Sequence, residues 1–95
     1  PNQYIANLTS GSWCGFKYFF FHRPSSISLK LRGNGKGIIE VRTSFQGEKV
    51  ASVVVSPSSN WSDFSANLDP IEGKAPLYFT FEGAGHVDFF SFELK

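Results

Sequence analysis

Residues 76–94, PLYFTFEGAGHVDFFSFEL, decide the fold class. In the first limb Leu77, Phe79 and Phe81 alternate with Tyr78, Thr80 and Glu82. Successive side chains of a strand point to opposite faces, so one set meets a core and the other meets water. In the second limb Phe90, Phe92 and Leu94 form an apolar row separated by Ser91 and Glu93. Gly83-Ala84-Gly85 between the limbs accepts the positive backbone dihedrals of a tight reversal, so the stretch reads as a β-hairpin.

The same two-residue period recurs outward from this stretch. Residues 3–8 and 12–21 read as strands on either side of a Thr9-Ser10-Gly11 turn, and Pro24 ends regular pairing after the Phe19–Phe21 run. Residues 26–32 alternate Ile27, Leu29 and Leu31 with Ser28, Lys30 and Arg32. Residues 37–45 set Ile39, Val41, Thr43 and Phe45 against Ile38, Glu40, Arg42 and Ser44; residues 48–55 end in three valines, and residues 61–68 carry Trp61. The RGNGKG segment at 32–37 lacks the Gly-Lys-Ser/Thr ending of a phosphate loop and opens no helix, so it reads as a hairpin turn. No segment sustains a 3.6-residue period, and turn signals return about every 8–12 residues. The expectation is an all-β, antiparallel β-sandwich, a single domain over residues 1–95.

Composition narrows the partners. The 95 residues include 11 Phe, 3 Tyr and 2 Trp, and each ring buries about 150–250 Å², enough to densify a small core and leave rings for a binding surface. Nine basic and eight acidic residues give a net charge of +1 without a basic stripe, which argues against nucleic acid or an anionic membrane and favours a neutral ligand. No run of about 20 apolar residues is present. The chain opens at Pro1 without Met, and the sequence is expected to be a piece of something longer. Cys14 has no second cysteine to pair with and reads as a small core residue, and His22 and His86 do not complete a zinc set.

Chemistry-bearing residues are sparse. Glu82 and Asp88 flank the last reversal and would face each other across a hairpin, a structural pair in most such cases, and His86 reads as a surface residue; no nucleophile with a base is spelled out. A sugar site demands less: aromatic rings to stack on a pyranose and a few polar groups for its hydroxyls. Trp61, after the Pro57–Asn60 loop, and Tyr4, at the start of its strand, are the candidates, while Trp13, inside a strand, is assigned to the core. Asn7-Leu8-Thr9 and Asn60-Trp61-Ser62 match the N-glycosylation pattern by form alone.

The segment YIANLTSGSWCGFKYFFF, followed in order by GKGIIEVR, SSNWSDF, GKAPLYFTFEG and VDFFSFEL, resembles the family 6 carbohydrate-binding modules, whose Tyr-Ile stretch leads into Gly-Asp-Trp and an aromatic-rich strand. The likeness runs from Tyr4 to Leu94. Such modules are similar to those appended to family 43 glycoside hydrolases. The resemblance implies a jelly roll with a sugar clamped between two aromatics, Tyr4 and Trp61 here, and Asp88 in the slot of an Asn that bonds the sugar. Asp accepts hydrogen bonds where Asn also donates. Ser12 stands for the Asp of Gly-Asp-Trp and Phe90 for an Asp of the last strand, and the family's opening strand is not in this sequence, so most ligands of the family's structural calcium are missing.

The resemblance therefore implies a non-catalytic module that binds xylan or a related β-linked plant polysaccharide and targets an appended glycoside hydrolase. It implies a secreted or cell-surface setting, no cofactor, and polysaccharide, oligosaccharide and the parent hydrolase as partners. The alternative is a degenerate module that packs against its parent enzyme or a partner chain. Without the opening strand, an uncovered sheet edge would favour self-association.

Overall fold

The computed structural model describes residues 6–95, with side chains described for all of these except Ala6, Lys17 and Tyr18. Among the described residues eight strands run in order: β1 (Ala6–Thr9), β2 (Trp13–His22), β3 (Ser26–Gly33), β4 (Lys36–Arg42), β5 (Lys49–Val55), β6 (Ser58–Asn67), β7 (Glu72–Ala84) and β8 (His86–Leu94). They form two four-stranded sheets, β1-β8-β3-β6 and β2-β7-β4-β5, with every neighbouring pair antiparallel. Consecutive strands belong to different sheets except β4 and β5, which is the alternation of a jelly roll. The expected all-β antiparallel sandwich is the fold found.

Alternation fills the core from both sides. Leu8, Ile27, Leu29, Leu31, Val87 and Phe89 come from one sheet; Ile39, Val41, Val53, Leu77, Phe79 and Phe81 come from the other, and all are buried. Phe79 and Phe89 meet across the gap with centroids 4.9 Å apart, and Phe92 sits 5.3 Å from Phe79. Cys14 is packed against this core, as its small apolar character predicts.

The segments 76–84 and 86–94 are not a hairpin. β7 pairs with β2 and β4 while β8 pairs with β1 and β3, so Gly83-Ala84-Gly85 arches from one sheet to the other. The 32–37 segment is likewise an arch, joining β3 to β4 across the two sheets. The arches lie side by side: Gly37 pairs with Gly83, and a Cβ on either would run into the facing strand's carbonyl oxygen. The side-chain oxygen of Asn34 accepts the His86 amide at 2.8 Å and ties them together.

Three further expectations are corrected. Lys30 pairs with Ser91 and Leu31 with Phe89, so Phe90 is the extra residue of a bulge. The inward row of β8 is therefore Val87 and Phe89, then Phe92 and Leu94, with Phe90 turned toward Trp61. Phe45 does not continue the inward row of residues 37–45, because β4 ends at Arg42 and Phe45 lies exposed in the turn beyond it. Trp13 is not in the core; it faces outward from β2, opposite to Cys14 and Phe16.

Candidate functional site

Trp13, Tyr78 and Phe45 form an aromatic surface on the outer face of the β2-β7-β4-β5 sheet. Trp13 is 51% exposed and Phe45 53% exposed. The Trp13 centroid is 5.0 Å from Phe45 and 6.0 Å from Tyr78, and Phe45 is 5.8 Å from Tyr78. The contacts are edge-on or tilted, with interplanar angles of 67°, 58° and 73° respectively, a geometry worth about 0.5–1.5 kcal/mol per aromatic pair. Large apolar rings gathered in water on one sheet face mark a binding surface more often than a structural accident.

A polar network adjoins the rings. Arg42, the cross-strand neighbour of Tyr78, donates from Nε to the Gly47 carbonyl at 3.0 Å, from Nη1 to Thr80 Oγ1 at 3.2 Å and from Nη2 to Glu40 Oε1 at 3.0 Å. Lys49 Nζ lies 3.3 Å from the other Glu40 oxygen. Burial pushes the Glu40 carboxyl upward, but hydrogen bonds and charges from Arg42 and Lys49 together outweigh it and hold the group below its ordinary range. Rings beside fixed donors and acceptors suit a ligand with an apolar face and a hydroxylated rim.

The second surface is a shallow groove of about 450 Å³ at the arches, lined by Arg32, Asn34, Pro57, Ser58, His86 and Asp88. Trp61 stands beside it, half-buried, with the Arg32 guanidinium carbon 4.2 Å from its centroid and Phe90 at 5.2 Å. Asp88 Oδ1 accepts from Asn7 Nδ2 at 2.5 Å, and Oδ2 lies 3.9 Å from Arg32 Nη2; its side chain is only 13% exposed. Trp61 and Asp88, expected to share a site, are joined through Arg32. Tyr4 lies outside the described residues.

Glu82 does not face Asp88 across a hairpin. The two residues belong to different sheets, and Glu82 is exposed, accepting from Ser10 Oγ at 3.5 Å. Among the described residues no three His, Cys, Asp or Glu side chains gather as a metal site. Sequence reasoning missed Trp13 and Phe45. The strand period around Trp13 carried the signal, since Cys14 and Phe16 cannot point inward together with Trp13.

No family model matches the sequence. A protein of Thermoclostridium stercorarium described as a xylosidase/arabinosidase is 40% identical over 91 residues; the match takes in 96% of this chain, which spans 19% of that relative's length. The family 43 arabinoxylan arabinofuranohydrolase of Bacillus subtilis, solved with cellotetraose, superposes with a TM-score of 0.83 at 19% identity, over 94% of this chain and 20% of that one. A family 6 carbohydrate-binding module from Clostridium cellulolyticum, solved with xylose, superposes with a TM-score of 0.77 at 18% identity, over 90% of this chain and 73% of that one. With its paired four-stranded sheets and these superpositions, the chain has the β-sandwich fold of the family 6 carbohydrate-binding modules.

Proposed function

We propose that this domain binds xylan or a related β-linked plant polysaccharide and holds an attached glycoside hydrolase against it, outside the cell where such polymers occur. One observation carries the reading: Trp13, Tyr78 and Phe45 offer a contiguous ring surface on a rigid sheet, half open to water. Stacking on a pyranose covers those rings, and Glu40, Arg42 and Thr80 stand beside them for the hydroxyls. The xylosidase/arabinosidase description of the Thermoclostridium relative and the xylose held by the Clostridium module support the choice of xylan. The domain itself contributes binding and no turnover. Affinity is modest, because a shallow face excludes little water and each immobilised sugar costs entropy.

Trp61 and Asp88 at the arch groove form a second candidate sugar site, to which the family resemblance would add Tyr4. The competing reading, a module that packs against its parent enzyme, is favoured by Arg32 lying over one face of Trp61. Affinity electrophoresis in xylan, arabinoxylan, β-glucan and cello-oligosaccharide separates these. Retardation lost with Trp13→Ala assigns the sheet face, loss with Trp61→Ala assigns the groove, and no retardation in any gel favours the packing reading.

A further inference from the structure

Gly15 is a regular strand residue directly across from Tyr78, and its φ is not positive, so its backbone has no need of glycine. Glycine inside a strand lowers stability, since it brings no side chain to pack and loses more chain entropy on folding. Its neighbours on the outer face give the reason for it. A Cβ at position 15 would stand 2.9 Å from Cδ1 and 3.0 Å from Cε1 of Tyr78, and 3.3 Å from Cζ3 of Trp13. Contacts under 3.0 Å are ones that real Cβ atoms essentially never make. The edge of the Tyr78 ring thus occupies the space a side chain at 15 would need, and Trp13 and Phe45 pack tilted and edge-on against that ring.

We infer that Gly15 is the positioning residue of the ring surface: it seats Tyr78 at the height at which Trp13 and Phe45 offer one continuous face to a sugar chain. Any side chain at 15 lifts the Tyr78 ring and breaks that face into separate rings, without disturbing the inward row of Cys14 and Phe16 on the other side of the strand. The inference rests on the sheet face being the sugar surface, and it adds that glycine at 15 is required for ligand and not for folding.

The test is binding of soluble xylan and cellohexaose to the unmodified domain, Trp13→Ala, Gly15→Ala, Tyr78→Ala and the Gly15→Ala/Tyr78→Ala double variant, with thermal melts and Tyr78 ring resonances read alongside. Gly15→Ala is expected to weaken binding at least tenfold and to move the Tyr78 resonances, while its melting temperature falls no further than that of Tyr78→Ala, which loses the same two ring contacts. With Tyr78→Ala already present, adding Gly15→Ala changes binding less than twofold, because no ring is left to lift. Loss of binding in Trp13→Ala together with parental binding in Gly15→Ala leaves the ring surface in place and overturns the seat. Parental binding in Trp13→Ala overturns both.

Discussion

The guanidinium of Arg32 lies over Trp61, its central carbon 4.2 Å from the ring centroid, and its Nη2 is 3.9 Å from Asp88 Oδ2. A cation over an indole contributes about 0.5–1 kcal/mol at an exposed site, and a partly exposed ion pair adds up to about 1 kcal/mol. Arg32→Ala should therefore destabilise the domain by about 1 kcal/mol in denaturant titration. Arg32→Lys should recover only part of this, because an ammonium does not stack flat on a ring.

Glu40 predicts the acid side of the stability curve. Its folded-state pKa is held below the ordinary value by Arg42 and Lys49. The stabilisation is thus fully present above the unfolded carboxylate pKa of about 4.3 and lost as pH falls through the lower folded value. Melts from pH 7 downward should show the parent losing stability below about pH 4 more steeply than Glu40→Gln. Parallel curves would remove Glu40 from the account.

Cys14 should be a poor nucleophile. Burial pushes its thiol up to about 11, so at pH 8 only about one molecule in a thousand carries the thiolate that reacts. Labelling by a thiol reagent at pH 8 should be slow in the folded domain and should accelerate at least a hundredfold on unfolding in guanidinium. Equal rates in the two states would place the sulfur in water.

Phe79 tests the core that both sheets build. It is fully buried and touches Phe16, Phe89 and Phe92 at centroid distances of 5.8, 4.9 and 5.3 Å. Phe79→Ala should cost about 3–5 kcal/mol, and Phe79→Leu markedly less, because it leaves the smaller cavity. Chemical denaturation of the two variants gives the comparison directly.

Strands are legible in this sequence because burial writes itself into a local period: Leu77, Phe79 and Phe81 point inward as their alternation requires. Strand partners are not local. Gly83-Ala84-Gly85 satisfies a hairpin turn and a crossing arch equally well, and the choice is made by β2 and β4, which flank β7, and by β1 and β3, which flank β8. The bulge at Phe90 is invisible for the same reason, since it exists only against the register of β3. Trp13 was legible and misassigned: a large ring inside a strand suggests core, yet the parity fixed by Cys14 and Phe16 turns it outward. Phe45 required the chain reversal after Arg42, which brings a turn residue onto a face begun two strands away.

The measurement that bears most directly on the central claim is calorimetric titration of soluble xylo-oligosaccharide into the domain and into Trp13→Ala. The sheet-face account predicts saturable binding by the domain and at least a tenfold loss in the variant, a difference of about 1.4 kcal/mol or more. Saturable binding of equal strength in both proteins, or no saturable heat from either at millimolar sugar, would contradict it.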